Sequence, residues 1–266
     1  MSWILPNRKI HIDGKDFPIL ELRIHMAVIR QNLHNHTLHS DGRFSPQEII
    51  ASAISANLEG VGISDHFFTG KVFRRIDLKR YLDNNWPSYL READAVRSEK
   101  SYPLKIWFGI EIDTCFDRIG ASLAELPWED INSLDYALFE YVGEEDIGGF
   151  PFDEIARLRD YCKIPIVLAH PNIDAWEDDI SLVKIFESLR AFDMAVEIPS
   201  GSRNRWFWSK RDPAVLAGVN LTMGSDTHEF IEDVGAIEKT LAFLENHDLI
   251  KRLSDPDSMA TRQEAV

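Results

Sequence analysis

Short apolar runs recur along the chain, separated by polar stretches with helical periodicity. Seven runs read as strands: 26–36 (MAVIRQNLHNH), 60–66 (GVGISDH), 105–113 (KIWFGIEID), 135–142 (DYALFEYV), 164–170 (IPIVLAH), 192–198 (FDMAVEI) and 220–228 (NLTMGSDTH). Several are continuously apolar over most of their length, the pattern of parallel strands buried on both faces. Helices are predicted from Ser45-Pro46 onward and near 77–99, 152–162, 178–191 and 235–246. In the first of these, Ser45 caps, Pro46 takes the opening helical position and Glu48 completes a capping box. The apolar face of Ile49, Ile50, Ala53 and Ile54 follows. Residues 1–25 read as an appended strand or hairpin turning at Asp13-Gly14, residues 26–253 as one strand–helix domain, and residues 254–266 as a loose polar tail.

The strand ends are more informative than the strand count. Five of the seven finish in His or Asp, and the fourth and sixth carry Glu140 and Glu197 near their ends. Parallel strands closed into a barrel bring all their C-terminal ends to one rim, where such barrels carry their chemistry. The pattern therefore predicts an α/β, TIM-like barrel of seven or eight strands, with an open doubly wound sheet as the alternative. No GxGxxG follows the first strand, which disfavours the dinucleotide-binding version of that sheet.

Composition narrows the setting. The chain has 266 residues, 29 Lys and Arg against 44 Asp and Glu, and a formal net charge of −15. So acidic a surface argues against an extended nucleic-acid footprint or an anionic membrane. A small anionic substrate stays compatible, because bound cations reverse the sign locally. Two cysteines, Cys115 and Cys162, make no disulfide framework, so a reducing cytoplasm is expected. No apolar run reaches the roughly 18 residues of a membrane span, and the N-terminus lacks the pattern of a signal peptide.

The candidate chemistry begins at His34-Asn35-His36. Residues i and i+2 of an extended chain share a face, so the two imidazoles converge, and imidazole is a common ligand of zinc and iron. Alone the pair is weak evidence. Ser40-Asp41-Gly42 follows on a turn, however, and the later strands end in Ser64-Asp65-His66, Ala169-His170-Pro171 and Gly224-Ser225-Asp226-Thr227-His228, with Glu111 inside Gly109-Ile110-Glu111. So many carboxylates and imidazoles on one rim are poorly tolerated without cations between them.

Together HNHTLHSDG, SDH, GIE, AHP and GSDTH resemble, in order and spacing from about 33 to 228, the PHP superfamily of polymerase- and histidinol-phosphatase-like phosphoesterases. The resemblance implies a distorted (β/α)7 barrel of the PHP type and hydrolysis of a phosphoric ester. It also implies two or three divalent ions (zinc, manganese or iron) at the rim. Carried over by position, His34, His36 and Asp226 match ligands of one ion, Glu111 a bridging carboxylate and His170 a ligand of the second ion. Asp41, His66 and His228 match the third. Asp65, beside His66, matches a supporting or proton-handling position. The chain departs from the family where a histidine usually follows the fourth strand. Glu140 is the nearest substitute, with Glu144 and Glu145 beside it, and a solvated charge fits the sequence equally well.

In this reading two close cations lower the pKa of a shared water, which attacks phosphorus in line, with Glu111, Asp65 and Asp226 as the catalytic carboxylates. Neither a GxSxG elbow nor a GxxxxGK[ST] loop is present. Arg43, Arg203 and Arg205 are the candidate phosphate contacts, and Trp206, Phe207 and Trp208 in the same loop as the last two offer stacking surfaces. Glu197, ending the sixth strand, is placed to meet a ligand histidine or a substrate hydroxyl. The expected substrate is a small phosphomonoester or nucleotide, and a homo-oligomer stays open. Two alternatives stand beside this reading: an amidohydrolase-like C–N hydrolase, and an inactive metal-binding or regulatory module.

Overall fold

A computed structural model describes residues 9–12, 15–18, 30–99, 101–173, 179–201 and 213–264. Two short strands near the N-terminus, β1 (Lys9–Ile12) and β2 (Lys15–Pro18), pair antiparallel, and the expected turn at Asp13-Gly14 lies outside the described residues. The remaining seven form one parallel sheet in sequential order: β3 (Gln31–Asn32), β4 (Gly60–Ile63), β5 (Lys105–Asp113), β6 (Tyr136–Glu140), β7 (Ile166–Leu168), β8 (Met194–Pro199) and β9 (Asn220–Gly224). The last strand returns to the first. Leu33 N donates to Met223 O at 2.8 Å, and Asn35 bridges Thr227 in parallel. The sheet is thus a nearly closed, distorted TIM-like (β/α)7 barrel.

Alternation along the strands separates an outer layer from the barrel interior. Ile63, Phe108, Ile110, Phe139, Leu168, Val196 and Met223 belong to the large apolar cluster that includes residues of the surrounding helices. Leu33, Trp107, Tyr136, Leu138, Val167 and Ala195 form a separate inner cluster. Tyr136 crosses the barrel to donate from its hydroxyl to Leu33 O. This crossing requires Gly109, because a Cβ there meets the Tyr136 ring at 2.5 Å. On β5 the same face that carries Trp107 and Gly109 next carries Glu111, so the apolar filling gives way to the acidic rim within two strand positions.

The predicted capping box is present on the helix Pro46–Ser55: Ser45 N donates to Glu48 Oε2 at 2.8 Å and Glu48 N to Ser45 Oγ at 3.3 Å. The predicted 77–99 segment is helical over Leu78–Arg80, Tyr81–Asn85 and Trp86–Ser98, the middle stretch with π-helical bonding. Asp179–Ala191 and Glu238–Asn246 answer to two further predictions, and 152–162 divides into a 3-10 turn and Ala156–Tyr161.

One expectation is corrected. The segment read as a loose tail contains a helix, Pro256–Glu264. Met259 is fully buried among the inner cluster, and Asp257 accepts from Trp107 Nε1 at 2.9 Å and from Lys105 Nζ at 2.7 Å. A single Met and two polar anchors beside the start of β5 dock an otherwise polar helix, which no hydrophobic periodicity announces. Among the described residues no helix is long and apolar enough to cross a membrane.

Candidate metal centre

The residues at the rim lie mostly just beyond the regular ladder. His34 and His36 follow β3, His66 follows β4, His170 follows β7, and Asp226 and His228 follow β9. Two of these positions, His170 (φ 27°) and Asp226 (φ 51°), take left-handed backbone conformations that side chains disfavour. Strain of this kind persists only where the surroundings enforce it, and it gathers at functional sites. All nine candidate ligands fall into four overlapping groups whose donor atoms lie within 4.8 Å of one another. These are His36, Asp41, His66 and His228; His34, His170 and Asp226; His34, His36 and Glu111; and His66, Glu111 and Glu140.

Glu111, fully buried on β5, stands at the centre. Its Oε1 lies 3.3 Å from His34 Nε2 and 3.1 Å from His170 Nε2. Its Oε2 lies 3.3 Å from His36 Nε2 and 2.9 Å from His66 Nδ1. Asp226 Oδ1 approaches His36 Nε2 at 3.2 Å and His34 Nε2 at 3.6 Å. On the far side, Asp41 Oδ1 lies 3.1 Å from His228 Nε2, 3.8 Å from His36 Nδ1 and 3.9 Å from His66 Nε2.

These contacts fit metal ligation better than hydrogen bonding. His66 Nδ1 and Glu111 Oε2, although 2.9 Å apart, have no hydrogen-bond partner, and both are buried. Buried orphans of this kind are costly unless something else satisfies them. The ring nitrogens His34 Nε2 and His36 Nε2 face each other at 3.0 Å. Glu197 settles which of the His34 nitrogens carries the proton. Its Oε1 accepts from His34 Nδ1 at 2.9 Å, which leaves the Nε2 lone pair for a cation, the usual arrangement behind a metal-bound histidine. The hard-and-borderline N/O donor set suits zinc, manganese or iron.

The ionisable groups of the rim shift one another strongly against the effect of burial. Burial works against charge on every member. For Glu111 the nearby His66 and His34 outweigh burial and hold its carboxyl well below the usual range. For His170 burial is outweighed by Glu111, which lifts the imidazole to about 9. Burial disfavours charge on His34, but Glu197 and Glu111 raise it well above the ordinary value. His36 goes the other way, to about 3, through burial and the neighbouring His66 and His228. For Asp41, burial is overcome by His228, His66 and His36, and its carboxyl sits at about 2.

Residues 32–197 match the PHP domain family. The chain belongs to the PHP domain family. No curated protein matches the chain. Among solved structures, the histidinol phosphate phosphatase of Lactococcus lactis subsp. lactis, crystallised with zinc, L-histidinol and phosphate, is similar in fold. The TM-score is 0.53 at 18% identity, with 84% of this chain and 93% of that chain covered.

Within this PHP domain, the expected residues separate into those that converge and those that do something else. The nine candidate ligands all reach the rim, but His170 groups with His34 and Asp226, and His66 is shared between the Asp41 group and Glu111. Asp65 is not in any group. It is buried with both oxygens engaged, accepting from Thr37 N and Thr37 Oγ1 at 2.7 Å and from Ser40 Oγ at 2.6 Å. It therefore fixes the turn that carries His36 to Asp41. Glu197 is not available to substrate. It is buried, and its second oxygen accepts from His170 N at 2.6 Å, so it clamps two candidate ligand histidines at once. Gly224 makes room for this clamp, since a Cβ there lies 1.7 Å from Glu197 Oε1 and 2.4 Å from His34 Cβ.

Arg43 is exposed and pairs with Glu229 at 3.2 Å. Arg203 and Arg205, with Trp206, Phe207 and Trp208, lie outside the described residues. Glu144 and Glu145 fall in no ligand group among the described residues. Glu140 is buried beside His66, with Oε1 3.7 Å from His66 Nδ1. Lys71 also binds Glu140, donating 2.6 Å to its Oε2. Sequence reading missed Lys71, whose single hint was a basic residue in the TGK turn after the SDH segment.

Proposed function

We propose that this protein is a metal-dependent phosphoesterase of the reducing cytoplasm that hydrolyses a small phosphomonoester or nucleotide at the barrel rim. The observation that carries the reading is Glu111, whose two oxygens each face a pair of histidines: His34 and His170 on one side, His36 and His66 on the other. A carboxylate so placed fits a bridge between two divalent ions. Family membership and the fold shared with a histidinol phosphate phosphatase support the same chemistry. They leave the amidohydrolase alternative without support.

When bound, such ions supply Lewis-acid polarisation of the phosphoryl oxygens and lower the pKa of water. The chain's own residues do the rest. Glu111 would contribute to two ions, one held with His34, His36 and Asp226 and with His170 beside them, the other with Asp41, His66 and His228. Glu197 fixes the His34 tautomer and the backbone of His170, so the ligands keep their geometry when the acidic rim takes up an anion. Asp226, partly exposed, remains ionised because His36 and His34 outweigh the effect of burial. The ionised carboxylate is the form in which Asp226 would ligate a cation. Asp65 holds the 37–42 turn, and with it Asp41, at the mouth.

The test is phosphate release from p-nitrophenyl phosphate, histidinol phosphate and a panel of nucleoside monophosphates. Activity should vanish on chelation, return with zinc or manganese, and fall at least ~100-fold in Glu111→Gln. Failure of the metal-loaded protein to hydrolyse any ester contradicts the proposal. So does hydrolysis unaffected by chelation and by Glu111→Gln.

A further inference from the structure

Glu140 faces a cation that the chain itself provides. Lys71 sits in the turn after β4, where Gly70 N donates to Arg118 O at 2.8 Å and Val72 N to Thr69 O at 3.0 Å. Its Nζ donates to both oxygens of Glu140, at 2.6 Å for Oε2, and to Tyr141 Oη at 3.1 Å. An ammonium has three protons, and these three contacts use all of them. The Tyr141 ring also lies under the charge, 4.8 Å from Nζ to the centroid. Tyr141 reaches this place by adopting φ 63°, a left-handed conformation that a tyrosine takes only when held there. The neighbouring ligand leans away: His66 Nδ1 lies 2.9 Å from Glu111 Oε2 but 3.7 Å from Glu140 Oε1.

We propose that Lys71 occupies the place of a metal ion: its ammonium is the standing counter-charge of Glu140, Glu140 is not a metal ligand, and the rim holds two divalent ions rather than three. The inference rests on the metal-dependent reading above and deepens it. An ion bound by Glu140 must sit about 2.0–2.2 Å from a carboxylate oxygen, on the same two atoms that the ammonium now contacts. Two cations so close in a buried site repel each other strongly. A carboxylate paired with lysine thus replaces the histidine that family members use at the end of this strand, and it closes that part of the rim to a third ion.

The experiment counts ions and needs no activity. Full-length protein is stripped with chelator, equilibrated with excess zinc, freed of unbound metal and measured by native mass spectrometry and total metal analysis. The expected result is two zinc ions per chain for the wild type, three for Lys71→Met, and two again for Lys71→Arg, which restores the charge. Glu140→Gln in the otherwise unaltered chain should still hold two, which provides a second reading should Lys71→Met fail to fold. An unchanged count in folded Lys71→Met, or the loss of an ion in Glu140→Gln, overturns the proposal while leaving the metal-dependent reading intact. A wild type that binds no zinc overturns both.

Discussion

Glu197→Gln changes one atom of the buried clamp behind the candidate ligands His34 and His170, and the hydrogen-bond geometry sets the consequence. The carboxylate accepts from two N–H groups, His34 Nδ1 at 2.9 Å and His170 N at 2.6 Å. A glutamine amide has one acceptor oxygen and one NH2 donor. With its oxygen toward His34, the NH2 meets the His170 N–H, donor against donor. Turned over, it donates to His34 Nδ1, which forces the proton onto Nε2 and removes the lone pair that faces Glu111 and Asp226. One orientation leaves a buried donor unsatisfied, at a cost of ~1–3 kcal/mol. The other destroys a ligand. Loss of such a supporting contact lowers metal affinity by about 10- to 100-fold, or ~1.4–2.7 kcal/mol. Zinc affinity is read by competition with a chromogenic chelator, and thermal unfolding of the metal-free protein separates ligand loss from unfolding. A folded Glu197→Gln that binds zinc within twofold of the wild type refutes the argument.

Three further outcomes are expected. His34, His66, His170 and His228 all have raised pKa values, so they hold protons to higher pH than a free imidazole, His170 to about 9, and zinc must displace them. Zinc affinity should therefore climb as pH rises from 6 toward 9, with proton uptake by the buffer in calorimetry; a flat profile contradicts the assignment. Met259→Ala should destabilise the fold by ~2–5 kcal/mol, since the side chain is fully buried between barrel strands; denaturant unfolding indistinguishable from wild type contradicts the docking of the last helix. Burial pushes the thiols of Cys115 and Cys162 up to about 12, so both stay protonated at pH 8 and should resist alkylation by iodoacetamide in the native protein; rapid labelling of either contradicts the burial.

The barrel was legible because its strands bury both faces, so apolar runs such as GVGI and IVL stand out from the polar stretches around them. The convergence of the candidate ligands was legible for a related reason. Groups this polar occur at strand ends only where something uses them, and the His34–His36 spacing already sets two imidazoles on one side. What the sequence concealed depends on contacts made across the fold. Lys71 meets Glu140 from 69 residues away through a loop whose path no periodicity encodes. Glu197 was visible as a strand-end carboxylate, but its burial behind two histidines depends on Gly224 in the next strand. The terminal helix escaped notice because Met259 alone carries its apolar contact to the inner cluster, whereas a sequence reading looks for a stripe.

The most direct measurement is anomalous diffraction from crystals grown with zinc. The account predicts metal peaks on both sides of the Glu111 carboxylate, one against His34 and Asp226 and the other against His66 and Asp41, with density for Lys71 on Glu140. Peaks that leave Glu111 uncoordinated, or none at the rim at all, contradict it.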